Sequence, residues 1–165
     1  DMVRKAAFMG LLSALAIILG YVETLLPVFV AIPGIKLGLA NLVTVFLLKL
    51  YGWREAAVVS AVRILVIGFL FGNLFGIAYS FAGAALSLLV MTLCYRFQGF
   101  STVGISVAGG ISHNLGQLVV AMLIVENLSL MYYFPALLVS GVITGFLIGV
   151  VSQQVLHRIG TVFQR

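Results

Sequence analysis

Long apolar runs with almost no charge are the feature that most restricts what this chain can fold into. Hydrophobic residues make up 63% of its 165 residues and charged residues only 8%, whereas about a quarter of a typical soluble domain is charged. A water-soluble fold of this length would lack the polar side chains needed to cover its apolar core. The sequence therefore predicts an all-α integral membrane protein.

The apolar runs divide into six stretches, each near the roughly 20 residues that one helix needs to cross a bilayer. Their limits are set by charged residues and by Pro, Gly and Asn, which favour turns. The second stretch is short, so it must tilt, snorkel at its ends or be covered by protein. We expect a compact bundle of six transmembrane helices that forms one domain over residues 1–165. The predicted spans are residues 6–26, 37–51, 55–71, 75–95, 105–125 and 134–156.

The distribution of basic residues predicts which side of the membrane each loop faces. If the amino terminus is cytoplasmic, seven basic residues lie at cytoplasmic helix ends, while Lys36 lies in an outer loop and Arg63 inside a helix. This bias follows the positive-inside rule and predicts that both termini are cytoplasmic. It also accounts for the net charge of +5 without a nucleic-acid partner. The first run is too long for a signal peptide and has no small-residue cleavage site, so we expect it to be retained. The seven residues are Arg4, Lys5, Lys49, Arg54, Arg96, Arg158 and Arg165.

Few side chains are available for catalysis or metal binding. The acids are Asp1, Glu23, Glu55 and Glu126, which are too scattered to form paired catalytic carboxylates or an Asp-rich magnesium site. The single cysteine, Cys94, forms neither an internal disulfide nor a metal site by itself. The sequence has no Walker A motif, so any ATP must be hydrolysed by another subunit. We expect no enzymatic activity, no metal site and no cofactor.

Arg63 is an ionisable residue near the middle of the third predicted span. It follows Arg54 by nine residues, which places it about 13 Å deeper along a helix. A guanidinium at this depth is costly unless it meets an acid or a hydrogen-bonding group. It can pair with Glu23 of the first span, snorkel towards the interface or contact an anionic ligand. The first and third roles are compatible with each other.

The fifth predicted span carries three polar residues, His113, Asn114 and Gln117, in the segment ISHNLGQ. Residues three and four apart share a helix face, so Gln117 is predicted to align with both His113 and Asn114. Interhelical hydrogen bonds of about 0.6 kcal/mol each are enough to explain any one of these residues. Three such polar residues on one helix, in a bundle that also contains Arg63, favour a ligand-binding stripe over hydrogen bonding alone.

Further polar residues lie in the outer half of the predicted bundle. Asn41 adds an amide in the second span, and Lys36 follows Pro33 and Gly34 in an outer loop that directs a cation at the bundle mouth. Asn73 lies at the next outer turn and is expected to shape that turn. Two cations and a titratable histidine against one acid favour a substrate with a carboxylate or phosphate. The candidate substrate-binding residues are Glu23, Lys36, Asn41, Arg63, His113, Asn114 and Gln117.

Aromatic residues near this region are suitable walls for a flat or apolar substrate. Aromatic side chains at a membrane interface are also common anchors, so this second explanation stays open. The pocket is expected to open outward because the cytoplasmic half has no polar cluster of similar density. The candidate wall residues are Phe29, Phe71, Phe75, Tyr79, Phe81, Tyr132 and Tyr133.

Small residues recur every four positions in the first and sixth predicted helices and around the third helix and its exit, where they let helix backbones approach closely. Packing inside the bundle is the default explanation for each stripe. The first stripe lies in the predicted cytoplasmic half of the first span, and we predict that it docks a partner helix. The stripes are Ala6, Gly10 and Ala14; Gly68, Gly72 and Gly76; and Gly141, Gly145 and Gly149.

Several segments of the chain resemble the Gx transporter family, whose members are often labelled heptaprenyl diphosphate synthase component I. The segments are RKAAFMGLLSALAIILGYVE, PGIKLGLANLVTVFLL, SAVRILVIGFLFG, GISHNLGQLVVA and LLVSGVITGFLIG. The resemblance covers essentially the whole chain, with Ser112 in place of the alanine that usually precedes the HNxGQ motif. That family is similar to the S-components of energy-coupling factor (ECF) transporters, which are six-helix bundles with cytoplasmic termini in the prokaryotic plasma membrane.

The resemblance implies a substrate-binding membrane subunit that captures a small anionic or amphipathic micronutrient or precursor from outside. Such a subunit rests on a transmembrane scaffold subunit driven by two ATPase subunits. Members typically present small residues of helix 1 to the scaffold, which matches Ala6, Gly10 and Ala14. An alternative is a non-catalytic membrane component of heptaprenyl diphosphate or quinone synthesis. A third hypothesis, a standalone carrier or proton-coupled channel using His113 and Glu23, is disfavoured because a short bundle without repeats offers little for alternating access.

Overall fold

Six α-helices follow one another along the part of the chain that the structure describes. The computed structural model describes residues 2–25, 39–97 and 99–163, and all regular structure within these ranges is helical. The all-α, six-helix prediction is confirmed. The elements are α1 (Met2–Leu25), α2 (Asn41–Leu50), α3 (Trp53–Phe71), α4 (Leu74–Arg96), α5 (Thr102–Val125), a 3₁₀ helix (Leu128–Tyr133) and α6 (Phe134–Phe163).

The helices differ in how well they suit a bilayer. Among the described residues, four segments are long and apolar enough to cross a membrane, namely α1, α4, α5 and the segment Leu128–Ile159 that contains most of α6. Helix α3 carries three charged residues, and α2 has only 10 residues. Ten helical residues rise about 15 Å, half of the ~30 Å hydrocarbon core. The chain is therefore a multi-pass membrane protein in which α2 and α3 depend on neighbouring helices.

The short helix α2 lies among the other helices and contacts α1, α3, α4, α5 and α6. Leu47 is completely buried, and Val43 and Val45 are each 1% exposed, so protein covers several faces of this helix. A helix that is apolar on all sides is stable when it is surrounded in this way. Of the three explanations for its length, the structure supports coverage by protein, because the surrounding helices separate most of α2 from lipid.

Glycines bring the backbones of α4, α5 and α6 together. A Cβ added at Gly145 of α6 would lie 2.7 Å from the carbonyl oxygen of Ser106 and from Cα of Val107, both on α5. Towards α4, a Cβ added at Gly116 of α5 would lie 2.8 Å from the carbonyl oxygen of Ala82. Both distances are too short for a side chain, so the observed packing requires glycine at these positions. Helix α5 is thereby held between α4 and α6.

Polar side chains cap the helices that follow two of the turns. Asn73 Oδ1 accepts a hydrogen bond of 2.7 Å from the N–H of Gly76 at the start of α4. Ser101 Oγ accepts one of 3.1 Å from the N–H of Gly104 at the start of α5. Each cap satisfies a backbone N–H that has no partner within its own helix. The predicted role of Asn73 in shaping its turn is confirmed.

Basic residues from four helices gather at one end of the bundle. Lys5 Nζ donates a hydrogen bond of 2.6 Å to Glu55 Oε1 and joins α1 to α3. Lys49 Nζ lies 4.9 Å from the centre of the Tyr95 ring, a cation–π contact between α2 and α4. The charge bias in the sequence predicts that this end faces the cytoplasm. We call it the basic end and define it by Lys5, Lys49, Arg54 and Arg96.

Candidate functional site

Glu23 and Arg63 are oppositely charged residues buried between α1 and α3. Glu23 is 5% exposed and Arg63 is 4% exposed, and the two groups attract each other electrostatically. The arginine stem packs against α1 at Gly20, one turn before Glu23, since a Cβ there would be in ordinary contact, at 3.6 Å, with Arg63 Cγ and Cδ. A snorkelling arginine would expose its guanidinium. The burial therefore favours the other two roles of Arg63, pairing with Glu23 and contact with a ligand.

Glu23 also holds the segment that begins α2. Its Oε1 accepts a hydrogen bond of 3.3 Å from the backbone N–H of Leu39, two residues before the helix starts at Asn41. A carboxylate is stabilised near a helix N-terminus by the helix dipole and by the N–H groups there. Asn41 is itself buried, with 6% of its surface exposed. The predicted residues Glu23, Asn41 and Arg63 thus belong to the buried region of α1, α2 and α3.

Thr44 and Ser60 add a polar contact between α2 and α3 that the sequence analysis did not single out. Their hydroxyl oxygens lie 3.1 Å apart, and both residues are buried. Thr44 follows Asn41 by three residues and Ser60 precedes Arg63 by three, so each shares a helix face with a predicted site residue. That spacing is the signal in the sequence that points to them.

His113 and Gln117 of α5 face α4 at Gly83. His113 is 2% exposed and Gln117 is completely buried. A Cβ added at Gly83 would lie 2.8 Å from Gln117 Cγ and 3.1 Å from His113 Cε1. Glycine at this position therefore lets α4 approach both side chains. The predicted alignment of His113 with Gln117 is confirmed.

Asn114 faces α6 instead of α4. Its Nδ2 donates a hydrogen bond of 2.8 Å to the backbone carbonyl of Leu137, and a Cβ added at Gly141 would lie 3.1 Å from the same nitrogen. In the part of the chain that the structure describes, Asn114 Oδ1 has no hydrogen-bond partner. The predicted polar stripe is thus divided between two interfaces. Asn114 combines an interhelical hydrogen bond with a remaining acceptor.

Other parts of the predicted pocket differ from the expectation or lie outside the described residues. Lys36 and Phe29 lie outside the described residues. Tyr79 is buried at 4% exposure, whereas Phe75 is 58% exposed and Tyr132 is 88% exposed. The expectation that these aromatic residues line one pocket is wrong for the exposed ones. Their exposure near the helix ends is typical of membrane-interface anchors, the alternative given above.

The α1 stripe, which is Ala6, Gly10 and Ala14, lies on an exposed face. A Cβ added at Gly10 would meet no described atom within 4 Å. Beside the stripe, an apolar groove of about 430 Å³ runs between α1 and α6, with Val43 and Phe46 of α2 in its wall. Among the described residues, this side of α1 is therefore uncovered at Gly10 and bordered by an apolar groove at Ala14.

The buried polar groups offer several kinds of contact to a ligand. Arg63 provides a cation, Glu23 an anion and His113 a titratable ring, in a protein interior where polar interactions are stronger than in water. Within the described ranges, no three His, Cys, Asp or Glu residues are grouped to hold a metal ion. The contacts that Arg63, Glu23 and His113 can offer include ion pairs and hydrogen bonds.

Comparison with known proteins identifies the fold and the family. The fold matches a solved structure described as "Structure and mechanism of the S component of a bacterial ECF transporter", with a TM-score of 0.71 over 100% of both chains at 17% sequence identity. No curated protein matches the sequence. A family model described as Heptaprenyl diphosphate synthase component I matches residues 12–155. The chain therefore belongs to the heptaprenyl diphosphate synthase component I family and has the fold of an ECF transporter S component.

Proposed function

We propose that this protein is the substrate-binding membrane subunit of an ECF-type importer in the plasma membrane of a prokaryote. The observation that carries the proposal is the match of the whole chain to the S-component fold. The buried polar residues of α1, α2, α3 and α5 add to it, because ionisable groups inside a membrane bundle commonly mark a ligand site. In this role the chain has no enzymatic activity of its own.

We propose that the substrate is a small anionic or amphipathic micronutrient or precursor. Arg63 supplies a buried cation for a carboxylate or phosphate, and Asn114 Oδ1 is an acceptor for a donor group on the ligand. We propose Lys36 as a second cation on the ground of its predicted position in an outer loop. The full set of proposed substrate-binding residues is Glu23, Lys36, Asn41, Arg63, His113, Asn114 and Gln117.

We propose that the partners are a transmembrane scaffold subunit and two ATPase subunits. The exposed α1 stripe supports this, because small residues on an exposed helix face allow a second helix to approach its backbone. The adjoining apolar groove between α1 and α6 extends the contact surface around Ala14. Both features belong to segments near the basic end, the side on which cytoplasmic ATPases would act under the predicted topology.

The family description favours a second candidate function, a non-catalytic membrane component of heptaprenyl diphosphate synthesis. The chain lacks the Asp-rich motifs that bind magnesium and diphosphate in prenyl elongation, so a partner enzyme would have to perform the chemistry. This candidate therefore requires a stable complex with a soluble prenyl synthase.

Purification from native membranes distinguishes the two candidates. A chain tagged at its chromosomal locus should retain two ATPases and one further membrane protein, identified by mass spectrometry of the complex. A matched control uses an unrelated tagged membrane protein expressed at the same level. Retention of a prenyl synthase without ATPases would contradict the importer proposal and support the alternative. Mass spectrometry of the small molecules released from the same preparation would identify the substrate class.

A further inference from the structure

A groove separates α3 from α4 on the side away from their connecting turn. At the turn the helices touch, because Gly68 of α3 packs against Ile77 of α4. Towards the basic end they leave a space of about 500 Å³ beside Trp53 and Arg96, and a further space of about 190 Å³ reaches Phe81. Both spaces are lined by Ala57, Ala85 and Leu88. We treat them as one feature, the α3–α4 groove.

The α3–α4 groove is about as long as one bilayer leaflet is thick. It follows α4 from position 96 to position 81, about 15 residues or about 22 Å. Half of a bilayer, including its head groups, measures about 20–22 Å. The groove therefore reaches from the polar interface at the basic end to the middle of the hydrocarbon core.

The walls of the α3–α4 groove are suited to an apolar chain. Leu89 and Leu93 are 58% and 45% exposed, so the groove is open along its side. Thr92 donates its hydroxyl proton to the carbonyl of Leu88 within α4, and the Ser60 hydroxyl is 3.1 Å from that of Thr44. Because these wall hydroxyls already have hydrogen-bond partners, an apolar occupant leaves no polar group unsatisfied in the deep part of the groove.

The mouth of the α3–α4 groove is basic and aromatic. Arg96 lines it directly, and the Arg54 guanidinium lies 5.6 Å from the centre of the Trp53 ring, which also lines it. Nearby Glu55 is engaged by Lys5 of α1, at 2.6 Å, rather than by Arg96. Basic pockets between transmembrane helices at an interface are complementary to anionic lipid head groups.

We propose that the α3–α4 groove binds an anionic phospholipid from the leaflet at the basic end. The phosphate lies at Arg96, the glycerol region lies at Trp53, and one acyl chain extends between the helices towards Phe81. This site is separate from the proposed substrate residues and from the α1 stripe, so it does not depend on the proposed function.

Quenching of Trp53 fluorescence in bilayers tests the proposal, because Trp53 is the single tryptophan of the chain. The probes are phosphatidylglycerol and phosphatidylcholine with identical brominated acyl chains, each mixed with its unbrominated form. One arginine contact is expected to favour phosphatidylglycerol about fivefold at the site. R96Q should remove this preference. A85L, which fills the groove at an exposed position, should remove it as well.

Two variants provide matched controls. R158Q removes a basic residue of α6 outside the groove, and A136L enlarges an exposed alanine of α6, so both should keep the roughly fivefold preference. Equal quenching of the wild-type protein by the two lipids would overturn the proposal. A loss of the phosphatidylglycerol preference that is equally large in R96Q and R158Q would overturn it as well. A85L that keeps the lipid preference but loses a co-purifying membrane protein would assign the groove to a partner helix and overturn the proposal too.

Discussion

The stripes of small residues in α1 and α6 share the same four-residue spacing but have opposite surroundings. On α6, a Cβ added at Gly141 or Gly145 would come within 3 Å of backbone atoms of α5. On α1, a Cβ added at Gly10 would meet no described atom within 4 Å. The α6 stripe serves the protein's own fold, whereas in the described part of the chain nothing covers the α1 stripe at Gly10. The spacing indicates that two backbones approach each other without indicating which two.

The largest expected effect is on the α6 stripe. Gly145→Leu places a side chain where backbone atoms of α5 lie 2.7 Å from its Cβ. Ordinary overpacking costs about 1–3 kcal/mol, and a clash with backbone has fewer ways to relax, so we expect little folded protein. Size-exclusion chromatography of the detergent extract measures the folded yield. Gly10→Leu is the matched control and should give a normal yield. A normal yield of Gly145→Leu would contradict the assignment of the α6 stripe to internal packing.

The next largest effect is expected at the buried charges between α1 and α3. Arg63→Gln and Glu23→Gln each remove one charge, and breaking a buried pair typically costs about 3–5 kcal/mol in the free energy of unfolding. The amide oxygen introduced by Glu23→Gln can still accept the hydrogen bond from the Leu39 N–H, so the comparison isolates the charge. The double variant should lose clearly less free energy of unfolding than the two single variants lose together. Denaturation in mixed micelles measures these losses.

If the double variant loses as much free energy of unfolding as the two single variants together, Arg63 and Glu23 do not stabilise each other. The same variants also test contact with the ligand. If Arg63 binds the substrate, the increase in thermal stability that the substrate gives the wild-type protein is lost in Arg63→Gln. An increase that persists in this variant would exclude direct contact.

A smaller effect is expected from the hydrogen bond between α5 and α6. Asn114→Ala removes the donor to the Leu137 carbonyl, and such bonds in membrane bundles contribute about 0.6 kcal/mol and at most about 1.7 kcal/mol. The free energy of unfolding should fall by an amount in this range, and Leu115→Ala, at a more exposed neighbouring position, is the control. A loss of substrate binding with unchanged stability would instead assign Asn114 wholly to the ligand.

The helices were predictable because apolar length is a direct consequence of bilayer thickness. The position of α2 was not predictable, because lipid and protein interior are both apolar and Leu47 looks the same in either. Only the short length of the second apolar run indicated that protein covers it. The position of α2 is set by its tertiary contacts with α1, α3, α4, α5 and α6.

The polar residues of the candidate site were found because a charge or amide inside an apolar run is costly. Their grouping was less predictable, since successive residues of a helix lie about 100° apart and neighbouring helices divide them. His113 and Gln117 turn to α4, while Asn114 turns to α6. Thr44 and Ser60 were overlooked because hydroxyl side chains are common in membrane helices and stand out only through their three-residue spacing from Asn41 and Arg63.

Association of the Gly10→Leu protein with its partners tests the central claim most directly. The substitution lies on an exposed face, so the unfolding temperature should stay at the wild-type value while co-purification of the scaffold and ATPase subunits is abolished. Ala136→Leu, another exposed small-to-large change, should leave co-purification unchanged. A stable Gly10→Leu protein that retains these subunits at the wild-type level would contradict the account of α1 as the docking helix.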